Sequence, residues 1–229
     1  MVKALLYKDV TSRPLRIACL TAMCWVIVVY AVALMPISMD ESGNNPLNAE
    51  SSMTLASQAT VIIAVVLSNI EIGSGETVMA ALIAGSRRRM AYALITEKVV
   101  IILIAGLFLA MLDIIGNVVV YGDGDVGCLL LCCLLLAVMN GIAALSLSMF
   151  TGNVLLGLSI YLFVPILLKP FIMYLIPATN GLSYPETIRA ATADCSLVGT
   201  LVSIMWLLVF IIAGYAAMGL RLHRAIDMG

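Results

Sequence analysis

The chain has 229 residues, of which 63% are hydrophobic and only 11% charged. Soluble domains carry about a quarter charged residues, so composition rules against a water-soluble globular protein and points to a membrane class. A net charge of −1 and a single histidine, His223, leave no basic field to recruit nucleic acid and little material for a histidine-based metal or acid–base site.

The first element is the segment Val2–Val10, whose apolar residues Val2, Leu5, Leu6 and Val10 fall at helical spacing. Such a stripe suits a helix lying in the membrane interface, with Lys3 and Lys8 reaching lipid headgroups. Asp9 interrupts the stripe, and Pro14 is expected to break the helix and turn the chain into the first span. An interfacial elbow over 1–14 follows; it can serve as a docking element or simply as a positive leader that fixes topology. The apolar run after it is long enough to span and lacks a small-residue cleavage site, so it is read as a span rather than a signal peptide.

A spanning helix needs about 20 mainly apolar residues, and six stretches qualify: Ile17–Ile37, Thr54–Ile70, Val99–Tyr121, Gly127–Phe150, Val154–Pro177 and Ser196–Leu220. The second is short and can continue helically past Glu71. Basic residues set the orientation. Lys3, Lys8, Arg13 and Arg16 precede the first span, Arg87, Arg88, Arg89 and Lys98 lie between the second and third, and Arg221 and Arg224 follow the last. The opposite side has only Lys169 and Arg189 but collects Asp40, Glu41, Glu50, Asp123, Asp125, Glu186 and Asp194. The expected protein is therefore a single all-α membrane domain over 1–229, multi-pass in the cell membrane, with both termini cytoplasmic. On the outer side, Gly122–Asp125 reads as a tight turn, and the longer 178–195 connection has room for a short helix opened by Pro185.

The stretch between the second and third spans, 71–89, is too polar at its ends to span and too apolar in its middle for a plain solvated loop. Gly73 and Gly75 permit a change of direction, and Thr77–Ala84 has a good helix former at nearly every position. A small apolar helix at the membrane surface, followed by three arginines, has the form of a knob for a cytosolic partner. The arginines can pair with acidic residues or lipid phosphates, and taken alone they read first as the positive-inside signal.

Several polar residues fall inside the spans. Asp113 lies about 21 Å above the inner end of the third span, and Lys169 about 22 Å along the fifth. An ionisable group at such depth is a functional candidate by default. A pair between the two is geometrically open, as is separate snorkelling of each to water. Asn140 and Gln58 can each hydrogen-bond between helices, with structural roles favoured over substrate contact. Small residues at Gly141–Ala144 and Gly214–Ala217 suit close helix packing. Of the six cysteines, Cys132 and Cys133 are adjacent and not a metal or redox pair. Cys128 and Cys195 both fall near outer helix ends, where a disulfide and two free thiols are both open.

The residues Glu71, Gly75, Glu76, Thr77, Ala84, Gly85, Ser86, Arg87, Arg88 and Lys98 resemble the signature between the second and third helices of ABC-2 type permeases, the membrane subunits of ABC exporters. There the order is an acidic residue, Gly-Thr, a short helix, Pro-x-Ser-Arg and a Lys opening the next span. The Lys3–Asp9 run is similar to the family's N-terminal elbow. Two departures stand out: Glu76 separates Gly75 from Thr77, and Ala84-Gly85 replaces the proline before Ser-Arg. The resemblance implies a cytoplasmic coupling helix at Thr77–Ala84, with Glu71, Gly75, Thr77, Val78, Leu82, Ser86, Arg87 and Arg88 facing a cytosolic ATPase present in two copies. It also implies a second permease copy or paralogue, and export of a peptide or other amphipathic substrate. The chain has no GxxxxGK[ST] phosphate loop, so it holds no cofactor of its own, and ATP and Mg would sit on the partner. An intramembrane enzyme is disfavoured, because aspartyl chemistry needs two carboxylates and Asp113 is the one acid deep in a span. An ion-coupled carrier using Asp113 is the alternative, against which the absence of inverted repeats weighs.

Overall fold

The computed structural model describes residues 2–35, 49–74, 87–122, 126–153, 155–161 and 197–227. Among them every regular element is an α-helix. They are α1 (Val2–Thr11), α2 (Arg13–Ala33), α3 (Ala49–Ser57), α4 (Ala59–Ser74), α5 (Arg87–Tyr121), α6 (Val126–Thr151) and α7 (Leu197–Asp227). Residues 155–161 are also helical. Among the described residues, five helical stretches are long and apolar enough to cross a membrane: Arg13–Ala33, Ser51–Ile70, Arg89–Tyr121, Leu130–Thr151 and Ser203–Leu220. The fifth expected span, Val154–Pro177, lies outside the described residues beyond position 161, as does the 178–195 connection.

Local chemistry shifts several expected boundaries. The break between α1 and α2 falls at Ser12, ahead of Pro14. Ser12 is in extended geometry and its hydroxyl accepts from the Leu15 amide, an N-cap that lets Pro14 sit in the first turn, where a missing N–H costs nothing. The first long helix therefore starts at Arg13, not Ile17. It stops at Ala33, short of Ile37, because Pro36 disfavours helical geometry in the residue before it. The helix expected from Val99 instead begins at Arg87. Met90, Ala91, Leu94, Ile95, Ile101 and Ile102 are all buried, a continuous helical stripe that carries the helix through the charged Glu97-Lys98 step. Arg87 and Arg88 are thus on its first turn and not in a loop. Likewise α7 continues past Leu220 to Asp227, so Arg221 and Arg224 lie on a helix.

The α3–α4 pair bends at Gln58, whose amide bonds back three residues to the Leu55 carbonyl. The cause is hydroxyl competition for backbone carbonyls. Ser57 Oγ donates to the Thr54 carbonyl, and Thr60 Oγ1 reaches both the Ser57 carbonyl and the Ala137 carbonyl of α6, at 2.9 and 2.6 Å.

Helix α6 is the centre, packed against α4, α5 and α7 and buried over most of its length. Gly141 permits that closeness, since a Cβ there would stand 2.8 Å from Ile102 Cγ2 and 3.2 Å from Thr60 Cβ. Outward, α2 shows Ile17, Leu20 and Ile27, α5 shows Ile104, Phe108 and Ile115, and α7 shows Leu208 and Ile212, all well exposed. Apolar faces of this extent are untenable in water and ordinary against lipid.

Gly116 on α5 offers a direct check of this packing. A Cβ there would lie 2.3–2.6 Å from the Tyr30 ring, whereas Gly219 on α7 has open space around it. Gly116→Ala is expected to lower the unfolding midpoint in detergent by an amount corresponding to about 1–3 kcal/mol. Gly219→Ala leaves the midpoint unchanged or raises it, because alanine is the better helix former. Equal effects of the two would contradict the packing.

Candidate functional site

Two buried polar clusters lie along α5. The lower one forms where α1 meets α5. Lys98 has no exposed surface, and its ammonium donates to Asp9 Oδ2 of α1 and to both carboxylate oxygens of Glu97, at 3.2 and 3.4 Å. Glu97 is likewise fully buried and Asp9 is 3% exposed. Burying a charge costs several kcal/mol, recovered only with close partners, and one ammonium between two carboxylates supplies them. Asp9 interrupts the apolar stripe of α1 because it faces this cation.

The upper cluster sits between α2, α5 and α6. The Tyr30 hydroxyl donates to Asp113 Oδ1, and the buried Cys133 of α6 lies nearby. Gly116 allows the Tyr30 ring to approach α5 more closely than a Cβ would permit, with its hydroxyl on Asp113 one turn back. Asn117, also buried, stands beside that hydroxyl with its Nδ2 lacking a partner in hydrogen-bond geometry among the described residues. At the bend of α3–α4, Asn140 Nδ2 donates to Ser57 Oγ at 2.8 Å and Asn140 Oδ1 accepts from the Tyr161 hydroxyl at 2.6 Å. Asn140 therefore bonds between helices. Gln58, half-buried, occupies the bend itself.

The other sequence-derived candidates are placed less closely. Glu71 lies in the last turn of α4, which does continue past it to Ser74, and Arg87 and Arg88 open α5. Gly75, Thr77, Val78, Leu82, Ser86 and Lys169 lie outside the described residues, and with them the coupling helix and the Asp113–Lys169 pair. The structure adds Asp9, Glu97, Tyr30, Asn117 and Cys133, none of which sequence reasoning had assigned to a site. A signal existed for the lower cluster. Lys98 continues the Ala91, Leu94, Ile95 spacing toward Ile101 and Ile102, which puts a cation on the buried face.

The upper cluster is open to a single-atom test. Tyr30→Phe removes one hydroxyl and leaves the Asp113 carboxylate buried without that donor, a loss of about 1–3 kcal/mol. The unfolding midpoint in detergent should fall accordingly, and Tyr30→Phe combined with Asp113→Leu should recover part of it. A Tyr30→Phe protein as stable as the parent would show that the bond contributes nothing.

Comparison with protein-family models, with curated proteins and with solved structures gives no match in any of the three.

Proposed function

We propose that the chain is the membrane-spanning permease subunit of an ATP-driven exporter of the ABC-2 type, powered by a separate cytosolic ATPase. The observation that carries this reading is the continuity of α5. It runs 35 residues without interruption, about 52 Å at 1.5 Å per residue, against a hydrocarbon core of about 30 Å. A helix of that length projects well beyond the core. Its first turn bears Arg87 and Arg88 directly after the 75–86 segment, the lower cluster fastens its next turns to α1, and Asp113 lies farther along the same rod. A push at the base would be delivered to the level of Asp113 without a hinge, as alternating access by rigid-body tilting requires.

In this reading both termini are cytoplasmic, Val154–Pro177 supplies a sixth span, and Thr77–Ala84 seats in the ATPase, with Glu71 setting the angle of the segment. The working unit has two ATPase copies and a second permease copy or paralogue in the cell membrane, and moves a peptide or other amphipathic substrate outward. ATP and Mg belong to the ATPase. A second reading, an ion-coupled carrier, is favoured by one observation: Asp113 is deeply buried one helical turn from Asn117, whose Nδ2 has no partner in hydrogen-bond geometry among the described residues, and buried carboxylates in spans often serve ion pathways.

The test is co-purification from detergent-solubilised membranes of cells that produce the chain with its native complement of ATPases. The parent chain should bring down an ABC ATPase identified by mass spectrometry, and a variant with Thr77–Ala84 replaced by Gly and Ser should not. No ATPase with either chain would sink the exporter reading. Transport driven by an ion gradient and abolished by Asp113→Asn would then establish the second.

A further inference from the structure

A lateral groove of about 580 Å³ opens between α2 and α5, directly above the lower cluster. Val10 and Arg16 lie at its base end, Met23 and Phe108 at its far end, and Leu20 and Ile104 are exposed along its walls. Its surface is apolar apart from Arg16. From Ile101 to Leu109 the groove follows α5 for about 12 Å, less than the roughly 15 Å that one leaflet contributes to the hydrocarbon core. Arg13 and Arg16 are both exposed at the base end, and neither pairs with a carboxylate among the described residues. The nearest acid along the chain, Asp9, is buried against Lys98.

We propose that this groove is a binding site for an anionic phospholipid from the leaflet on the α1 side, with an acyl chain between α2 and α5 and its phosphate on Arg16 and Arg13. Three features select this occupant over others of similar polarity. The groove opens sideways, onto faces that are themselves apolar and exposed, so a lipid enters without crossing a polar barrier. It is short enough for a chain held within one leaflet. Its charge is confined to the end where α1 places the membrane interface, and is positive, which favours an anionic headgroup over a zwitterionic one. A ligand there would bridge α2 to α5 immediately above the ion cluster that joins α1 to α5, and so would fill the gap left between these helices.

Native mass spectrometry of the full chain tests this, with dioleoyl phosphatidylglycerol and dioleoyl phosphatidylcholine as probes added to the same detergent-purified protein. Phosphatidylglycerol should bind more tightly than phosphatidylcholine. Arg16→Gln, at an exposed position that does not disturb folding, should weaken phosphatidylglycerol about fivefold and leave phosphatidylcholine unchanged. Ala105→Phe, which fills the groove from α5, should weaken both, and glycerol phosphate without acyl chains should not compete. Equal binding of the two lipids, or no response to Arg16→Gln, would overturn the headgroup assignment. Lipid binding unchanged by Ala105→Phe would overturn the groove, whether or not that variant shifts the oligomeric state and so marks the face as a contact between copies.

Discussion

The Lys98 ammonium is enclosed on all sides, and much of the lower half of the molecule follows from where its counter-charges come from. Glu97 is its neighbour in sequence and is supplied by α5 itself. Asp9 is not, and can reach Lys98 only if α1 lies against α5. Removing Lys98 would leave two carboxylates buried without a cation, at a cost of about 3–5 kcal/mol, and removing Asp9 would take away the contact of α1 with that cation, so the position of α1 is fixed by electrostatics more than by its weak apolar stripe. Once α1 is held there, Ser12 must turn the chain and cap α2, and α2 rises beside α5 with Val10 and Arg16 at the foot of the groove between them.

Higher up, the constraints are of a different kind. Helices surrounded by lipid gain nothing from apolar burial as such, so their association rests on close packing and interhelical hydrogen bonds. The structure uses both around α6. Thr60 and Asn140 tie α4 and α3 to it, Ser146 Oγ donates to the Phe210 carbonyl of α7 at 2.6 Å, and nearby the Tyr30 hydroxyl of α2 donates to the Asp113 carboxylate of α5. Trp25 Nε1 donating to the Leu55 carbonyl and Ser52 sharing a hydrogen bond with Tyr121 close the opposite end, at 2.8 and 2.7 Å. Every one of these contacts is specific to one register, which apolar surface alone does not provide.

Spanning helices were legible in the sequence because a run of about 20 apolar residues is a strong signal, and the described helices overlap the corresponding runs. Their ends were less so. A hydropathy boundary marks where the chain becomes polar, while a helix ends where its backbone bonds end, and Arg87–Lys98 is polar enough to look like a loop although its Met90, Ala91, Leu94 and Ile95 are buried. Asn140 could be identified as an interhelical donor from its depth alone. Asp113 could be marked as important by the same argument, but not its partner, because Tyr30 is a common residue for a span and nothing in its position points across 83 residues. Asp9 looked like a flaw in an amphipathic pattern. It is the counter-ion of a lysine that sequence placed merely at the start of a span, and only the packing of α1 on α5 joins the two.

The most direct measurement is a double-mutant cycle between Asp9 and Lys98, with Asp9→Asn, Lys98→Gln and the pair together, each unfolded reversibly in mixed micelles by added SDS. If the ion cluster fixes α1 to α5, the two changes should be strongly coupled, by about 1–3 kcal/mol, with the double variant losing less than the sum of the singles. Additivity to within about 0.5 kcal/mol would mean that Asp9 and Lys98 do not depend on each other, and that α1 is held in place by something else.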